Sequence, residues 1–314
     1  MSRPVVVITG PTASGKSALA LDAAEAFSGT VINADSMQVY RELRILTARP
    51  PPADEDRVPH RLFGVLPVTE RCSAGYWLEL AAAAIDETRA AGRLPIVVGG
   101  TGLYLRALLE GLAPVPEIAD TARAEARALH ERLGDEAFHT ELARIDPEMA
   151  ARLPVTDRQR LIRAFEVVKA TGRSLAEWQR QEKPLPAVAG RFASIVLNPP
   201  RDVLYAAIDA RFERMIEAGA VDEVAALEEL KLDPNLPAAK ALGVAPLRRY
   251  LRGETDLDEA CGAAKQASRN YAKRQCTWLS NQMAGANVYS AQYSERLQSK
   301  IFSFIRQFLL TPDT

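Results

Sequence analysis

The sequence predicts an α/β protein in which helices flank a parallel sheet, with an all-helical domain inserted between two parts of that sheet. Short β-branched runs alternate with helical stretches near both ends of the chain. Two of these runs end in glycine-rich loops, and the middle of the chain shows helical patterns without a strand-like run. Such alternation is typical of parallel sheets, because a crossover, usually a helix, must connect each strand to the next.

The first part of the predicted sheet begins near the N-terminus. Residues 5–9 form a β-branched run, as expected of a strand that is buried on both faces, and residues 18–27 follow as a helix. Residues 30–33 and 94–98 predict two further strands, which an alanine-rich helix at residues 77–91 separates. This order indicates a strand–helix–strand core.

The second part of the sheet follows the helical insertion. Residues 192–197 predict a strand that ends before Pro199 and Pro200. The remaining elements are predicted helices at residues 203–231, 237–251, 257–283 and 292–310 and a short strand at residues 288–289.

Prolines border the insertion, with Pro114 and Pro116 before it and Pro184 and Pro186 after it. We therefore predict a core domain of residues 1–112 and 190–314 and an insertion domain of residues 113–189. The predicted helices of the insertion are residues 122–133, 136–145, 147–152, 157–171 and 175–182.

Composition limits the classes of function. The 39 Lys and Arg residues nearly balance the 40 Asp and Glu residues, so a globally basic nucleic-acid coat is excluded while a local basic surface is not. No apolar run approaches the roughly 18 residues of a membrane helix. The three cysteines and three histidines are scattered, without a C-x-x-C pair or a zinc-site pattern. We expect a cytoplasmic protein in a reducing compartment, without a signal peptide or a membrane partner.

Residues 10–17, GPTASGKS, match the phosphate-binding pattern G-x-x-x-x-G-K-[ST] between a predicted strand and a predicted helix. Backbone N–H groups of such a loop surround phosphate oxygens, and the helix N-terminus adds partial positive charge. Lys16 would neutralise phosphate charge, and the Ser17 hydroxyl would ligate Mg²⁺. The motif indicates a sheet like that of P-loop NTPases, although a phosphate loop does not define the reaction. A chance glycine-rich turn is the alternative, and the strand–helix context argues against it.

The acid that usually accompanies this loop is missing from its expected place. P-loop NTPases hold Mg²⁺ with an Asp at the end of an apolar strand, whereas residues 95–98 are followed by Gly99 and Gly100. Asp35 instead follows the second predicted strand. Position alone leaves three roles open for Asp35: a metal helper, a general base, or a turn residue that caps a helix.

A second glycine-rich loop, GGTGLY at residues 99–104, follows the third predicted strand. Open parallel sheets bind ligands at the carboxyl ends of their strands, so we expect Thr101 to face the same crevice as Lys16. A turn that binds no ligand is the alternative.

A basic stripe lies on the predicted helix at residues 257–283. Its members are spaced so that they lie on or beside one helix face, and residues 261–282 contain no acid. The basic stripe consists of Lys265, Arg269, Lys273 and Arg274, with Tyr271 and Trp278 interleaved. This pattern favours contacts with a nucleic-acid backbone, the alternative being a solvated helix face. The insertion contains a smaller basic group that predicts nucleic-acid contacts less strongly. It consists of Arg158, Arg160 and Arg163.

Several motifs together resemble the tRNA dimethylallyltransferase family, also called tRNA isopentenyltransferases or IPP transferases. The resemblance covers nearly the whole chain in the family's order. Its motifs are GPTASGKS at 10–17, NADSMQVY at 33–40, GGTGLY at 99–104, DRQRLIRAFE at 157–166, RDVLY at 201–205, and YAKRQ at 271–275 with Thr277 and Trp278.

The resemblance implies a reaction. Family members transfer a dimethylallyl group from dimethylallyl diphosphate to N6 of the adenosine at tRNA position 37, immediately 3′ of the anticodon. The products are N6-isopentenyladenosine and diphosphate. The phosphate loop then holds the diphosphate of the donor instead of hydrolysing a nucleotide, which accounts for the missing acid.

The resemblance also implies roles for individual residues. Asp35 would be the general base, Thr101 would orient the reacting groups, and Ser36 and Gln38 would contact the target adenosine. The donor diphosphate would be bound by Gly10, Thr12, Ala13, Ser14, Gly15, Lys16, Ser17 and Arg211, with Mg²⁺ on Ser17. The tRNA anticodon stem-loop would be contacted by the insertion domain, with its three arginines, and by the basic stripe. We expect a monomer.

Three positions depart from the family's pattern. Ala207 stands where the family usually has an arginine, so one anion contact is expected to be missing. Val244 and Leu279 lie in segments where the family shows other residues. These departures affect the expected RNA contacts and leave the donor site, Asp35 and Thr101 intact.

Three other functions fit parts of the sequence. A small-molecule kinase on the same scaffold would need a Mg²⁺-binding acid, which residues 98–100 do not supply. A prenyltransferase that acts on free adenine nucleotides would need neither the helical insertion nor the basic stripe. A non-catalytic RNA-binding protein would not need a complete donor site.

Overall fold

The computed structural model describes residues 3–181 and 187–311, and the chain divides into two compact units. The core unit comprises Met1–Leu109 and Ala187–Thr314, and the helical unit comprises Glu110–Pro186. Pro184 and Pro186, which the sequence analysis placed at the end of the insertion, lie outside the described residues, as does residue 182 of the last predicted insertion helix.

The core unit contains a six-stranded sheet in which all neighbouring strands are parallel, in the order β3-β2-β4-β1-β5-β6. The strands are β1 (Pro4–Thr9), β2 (Gly29–Asn33), β3 (His60–Arg61), β4 (Leu94–Gly99), β5 (Arg191–Leu197) and β6 (Asn287–Tyr289). Every residue of β2 and β4 is buried, as their apolar runs predict. The expected parallel α/β sheet is confirmed.

The register of the central strands determines where their following loops lie. Thr9 of β1 pairs with Gly99 of β4, and Asn33 of β2 pairs with Val98 of β4. The three strands therefore end level with one another, and the loops after them leave the sheet side by side.

Before the insertion, the core unit contains α1 (Lys16–Ala26), α2 (Pro52–Arg57), α3 (Ala74–Ala90) and most of α4 (Gly102–Glu110). Leu19, Ala20 and Ala23 of α1 pack into the core cluster against Val6 and Ile96 of the sheet. The sequence patterns do not predict α2, α4 or β3, because these elements are short or follow a glycine motif that is typical of a loop.

The helical unit contains α5 (Asp120–Ile145), α6 (Pro147–Arg152), α7 (Arg158–Thr171) and α8 (Leu175–Arg180). Its own core includes Phe138, Leu142, Leu161 and Phe165. Gly134 has φ 76° and kinks α5 at the place where the sequence predicts two separate helices.

After the insertion, the core unit continues with α9 (Arg201–Glu217), α10 (Ala220–Glu229), α11 (Val244–Leu251), α12 (Leu257–Gln282) and α13 (Glu295–Leu310). The predicted single helix at residues 203–231 is wrong, because Gly219 with φ 96° separates α9 from α10. The predicted helix at residues 237–251 is also interrupted: a 3₁₀ turn at Ala238–Lys240 precedes α11, and Gly243 between them has φ 92°. Left-handed glycines end helices without the steric penalty that other residues meet.

Among the described residues, no helix is both long enough and apolar enough to cross a bilayer.

Candidate functional site

The phosphate loop, residues 10–17, connects β1 to the first turn of α1. Ala13 and Gly15 adopt left-handed φ values of 65° and 88°, which turn the backbone toward the helix N-terminus. The Ser14 hydroxyl is buried and has no hydrogen-bond partner among the residues that the structure describes. An unsatisfied buried donor in this loop fits a ligand that supplies acceptor oxygens, as phosphate does.

Two half-buried cations, Lys16 and Arg211, converge on this loop and are called here the donor-site cations. The Lys16 ammonium donates to the Pro11 carbonyl at 3.3 Å, and the Arg211 guanidinium, from α9, donates to the Thr12 hydroxyl. Neither takes part in an ion pair within residues 3–181 and 187–311.

Burial weakens the proton affinity of both donor-site cations. Removal from water lowers the pKa of Lys16 to about 8, partly opposed by the Asp35 carboxylate and assisted by Arg211. Burial likewise lowers the pKa of Arg211 to about 10, again with Asp35 opposing. Two neighbouring cations that are partly removed from water favour an anion between them, because a diphosphate would compensate for their lost solvation.

Asp35 follows β2 in a turn that its own neighbours fix. Its backbone N–H donates to Asn33 Oδ1 at 2.8 Å, and Asp35 Oδ1 accepts from the Met37 backbone at 2.9 Å. The Asn33 amide also donates to the Asp35 and Leu62 carbonyls, which holds the turn from the opposite side. The carboxylate is half-buried and lies within electrostatic reach of both donor-site cations.

Thr101 connects the loop after β4 to the Asp35 turn. Thr101 Oγ1 accepts from the Ser36 backbone N–H at 2.9 Å and donates to the Ser36 hydroxyl at 3.3 Å. The close approach requires Gly99, because a Cβ atom there would lie 2.1 Å from the Ala34 carbonyl oxygen. The structure thus brings Lys16, Arg211, Asp35, Ser36 and Thr101 to one edge of the sheet.

One face of α12 contacts the same loop through residues spaced four and three apart. The Tyr271 phenol lies near Thr101, and burial raises the pKa of this phenol. Gln275 donates to the Gly100 carbonyl at 2.9 Å, and the Trp278 ring packs against Gly102, where a Cβ atom would lie 2.6 Å from it. These contacts were not predicted, although all three residues lie in the last of the matching motifs.

Gln38 contacts the protein backbone. Its side-chain amide donates to the Thr47 and Ala48 carbonyls at 2.8 and 3.1 Å. The expected contact of Gln38 with an adenosine remains a prediction.

The groups around the phosphate loop fit a Mg²⁺ ion that arrives with a phosphorylated substrate. The Ser17 hydroxyl is exposed in the first turn of α1. In the described part of the chain, no cluster of three or more His, Cys, Asp and Glu residues could hold a metal. Mg²⁺ commonly takes few protein ligands and completes its shell with water and substrate phosphates, so a single hydroxyl beside a diphosphate site suits it.

The structure divides the basic stripe into two pairs. Lys265 forms an ion pair with Glu213 at 2.8 Å, and Arg269 contacts both oxygens of Asp209 at 2.9 and 2.7 Å. The stripe therefore does not lack balancing acids, since α9 supplies them. These acids are remote in sequence from α12, so the spacing of basic residues on α12 alone does not reveal them.

Lys273 and Arg274 form the other pair. Both are exposed, and within the described residues neither makes an ion pair. They line a groove of about 530 Å³ along α12, together with Asn270, Thr277, Trp278, Asn281 and Gln282. This groove combines cationic, polar and aromatic groups, as surfaces that bind nucleic acids do.

The three arginines of the helical unit also make ion pairs. Arg158 contacts Glu131 at 3.4 Å, and Arg160 contacts Asp157 at 3.5 Å. Arg163 contacts the buried Glu166 at 2.5 Å. Arg160 is the most exposed of the three, with 75% of its side chain accessible, so its weak ion pair leaves it open to a partner.

The three departures from the family's pattern lie in the core unit. Ala207 is half-buried on α9, one turn before Arg211, so the two positions share a helix face. Val244 begins α11, and Leu279 lies on α12; both side chains are buried.

Comparison with known proteins agrees with this geometry. The family model described as IPP transferase matches residues 38–282, and the one described as isopentenyl transferase matches residues 3–62. The tRNA dimethylallyltransferase of Rhodospirillum centenum is 58% identical over 92% of both chains. That of Paramagnetospirillum magneticum is 56% identical over 99% of this chain and 98% of its own.

Solved structures give the same result. The full-length tRNA isopentenylpyrophosphate transferase of Bacillus halodurans superposes with a TM-score of 0.71 at 34% identity, covering 98% of this chain and 97% of its own. A eukaryotic dimethylallyltransferase, described as acting on tRNA, has a TM-score of 0.81 at 25% identity and covers 98% of this chain and 80% of its own.

A phosphate loop at the carboxyl edge of a parallel sheet, beside a carboxylate and a hydroxyl, defines a class of α/β proteins that bind phosphorylated substrates. Within that class, the chain belongs to the tRNA dimethylallyltransferase family. It is a transferase that acts in tRNA modification, and the expected family is confirmed.

Proposed function

We propose that this chain transfers the dimethylallyl group at the carboxyl edge of its sheet, with Asp35 as general base and the donor-site cations on the leaving diphosphate. The reaction is transfer from dimethylallyl diphosphate to N6 of the adenosine at tRNA position 37. The observation that carries the proposal is the convergence of Lys16 and Arg211 on a phosphate loop beside a carboxylate. Both cations are desolvated, and neither makes an ion pair within the described residues.

The donor side has an electrostatic task. As the allylic C–O bond breaks, negative charge accumulates on the diphosphate. Lys16, Arg211 and the backbone N–H groups at the start of α1 neutralise that charge. Because these groups are already fixed and out of water, little reorganisation accompanies the reaction. Mg²⁺, held by the Ser17 hydroxyl and by diphosphate oxygens, would add further positive charge when bound.

The acceptor side must activate a weak nucleophile. The lone pair of adenine N6 is delocalised into the ring, so loss of an N6 proton assists formation of the C–N bond. Asp35 takes that proton, and its turn is held by Asn33 and by the Met37 N–H so that the carboxylate keeps one orientation. Thr101 holds the Ser36 backbone, and the Ser36 hydroxyl would contact the adenosine.

The nucleic-acid partner would be held outside the sheet edge. The target base must leave the stack of the anticodon loop to reach Asp35. Lys273 and Arg274, which lack ion pairs among the described residues, are the best placed of the basic stripe for phosphate contacts. Arg158, Arg160 and Arg163 of the helical unit would add contacts to the anticodon stem-loop. We propose that the protein acts as a cytoplasmic monomer.

The test is transfer of radiolabel from dimethylallyl diphosphate to four acceptors: unmodified tRNA, the same tRNA with guanosine at position 37, AMP and ATP. Label is expected only on the tRNA with adenosine 37. Label on AMP or ATP at a comparable rate would contradict the tRNA acceptor and favour a free-nucleotide prenyltransferase. Equal labelling of the guanosine variant would contradict the proposed position.

A further inference from the structure

Gln275 is a buried amide with both of its polar ends engaged. Its Oε1 accepts from the Thr12 backbone N–H in the phosphate loop at 2.8 Å. Its Nε2 donates to the Gly100 carbonyl in the loop after β4 at 2.9 Å. One side chain from α12 thereby joins the loop that holds the donor to the loop that carries Thr101.

The residues around the Gln275 side chain leave it little room to move. A Cβ atom at Gly100 would lie 2.3 Å from Gln275 Nε2 and 3.2 Å from the Gly10 carbonyl oxygen, so glycine is required for the close approach. Gln275 itself is 6% exposed. A buried amide with both ends satisfied holds its partners at fixed separation, since breaking either bond leaves a desolvated backbone group unpaired.

We propose that Gln275 is a positioning residue, which fixes the distance between the donor diphosphate and the groups that activate the acceptor. The inference rests on the proposed function, because it assigns the donor to residues 10–17 and the acceptor to Asp35 and Thr101. Gln275 acts through Thr12 on one side and through Gly100 and Thr101 on the other. A misplacement of about 1 Å between reacting groups can cost about 10²-fold in rate, so we expect loss of the Gln275 hydrogen bonds to affect turnover more than binding.

A first experiment uses Gln275→Glu. An ionised carboxylate can accept from Thr12 but repels the Gly100 carbonyl, whereas a protonated carboxyl can both accept and donate, as the amide does. We expect single-turnover transfer, with both substrates saturating, to be about 10- to 10²-fold slower than wild type at about pH 8. The ratio of variant to wild-type rate should rise toward one as the pH falls to about 5.5, because burial raises the pKa of a Glu side chain.

A second experiment separates positioning from stability. Gln275→Met has similar length and no hydrogen bond, and it is measured alone and together with Thr101→Val. If Gln275 acts through Thr101, Gln275→Met should slow transfer much less in the Thr101→Val background than in the wild type. Donor and tRNA Kd values should change less than the rate. A merely structural residue would give additive effects and a loss proportional to the unfolded fraction.

Gln307→Glu on α13 is the matched control, because Gln307 is exposed and distant in sequence from every site residue. It should transfer at the wild-type rate at every pH. A pH-independent rate ratio for Gln275→Glu, or additivity with Thr101→Val, would overturn the positioning role. Wild-type transfer to tRNA is measured in the same assay, so failure of the function itself would show as absence of label in the wild type.

Discussion

The donor-site cations and the Lys265–Arg269 pair of the basic stripe each consist of one lysine and one arginine, but their electrostatic surroundings are opposite. Lys16 and Arg211 are desolvated, have lowered pKa values and make no ion pair in the described part of the chain. Lys265 and Arg269 pair with Glu213 and Asp209, and that pairing raises the pKa of Lys265.

The difference separates binding groups from structural groups. A desolvated cation without a carboxylate partner destabilises the free protein and is stabilised when an anion arrives. A cation that already has a carboxylate gains less from a phosphate, since the ion pair must first be broken. Motif spacing alone does not distinguish the two cases, because the acids that pair with α12 come from α9.

The largest expected effect comes from Asp35, whose carboxylate acts on both donor-site cations. Asp35→Asn retains size and an acceptor oxygen but cannot take a proton at neutral pH. We expect kcat to fall about 10²- to 10⁴-fold. The Kd of the donor should not increase, because removal of a negative charge favours binding of the diphosphate. Rescue of kcat by high Mg²⁺, or a defect mainly in donor affinity, would instead identify Asp35 as a metal helper.

The next effect concerns Lys16. Lys16→Ala removes one positive charge next to the leaving diphosphate, whose negative charge grows in the transition state, so kcat should fall by about 10² or more. The matched control is Lys265→Ala, which removes a lysine that is already paired with a carboxylate. Its single-turnover rate at saturating substrates should equal that of the wild type. Unchanged turnover in Lys16→Ala would contradict the assignment of the donor site.

A smaller effect should appear in the pH dependence of donor binding. Because the pKa of Lys16 is lowered to about 8, this lysine is protonated below that pH and loses its charge as the pH rises through it. A diphosphate prefers the protonated form, so the Kd of a non-reactive donor analogue should increase about fivefold between about pH 8 and about pH 9. Lys16→Arg keeps its charge in this range and should abolish the increase. The same rise in Lys16→Arg would show that another group titrates.

The smallest expected effect distinguishes the two pairs of the basic stripe. Lys273→Ala with Arg274→Ala should weaken tRNA binding and flatten the plot of log K against log salt, by about one unit of slope per lost phosphate contact. Lys265→Ala with Arg269→Ala should change the slope less, since those charges are engaged by α9. Equal slope changes for both double variants would mean that tRNA breaks the α9–α12 ion pairs on binding.

Local sequence determined the sheet and the position of the site. The β-branched runs at β1, β2, β4 and β5 predict buried parallel strands, and the glycine-rich loops after β1 and β4 mark the carboxyl edge at which ligands bind. These signals are local, because strand burial and tight turns depend on neighbouring residues. The predictions failed where a single glycine decided the outcome, at Gly219 and Gly243, since helical periodicity continues across a left-handed residue.

The sequence by itself determined the family, the donor loop and the candidates Asp35 and Thr101, because those motifs are contiguous and chemically specific. Only the tertiary structure decided which cations form ion pairs with carboxylates and which remain available to bind a phosphate. Arg211 meets Thr12 across 199 residues of chain, Arg269 meets Asp209 across 60, and Gln275 bridges two loops that are 263 and 175 residues away from it. Electrostatic and hydrogen-bond energies depend on distances in space, and the packing of α9 and α12 against the sheet sets those distances.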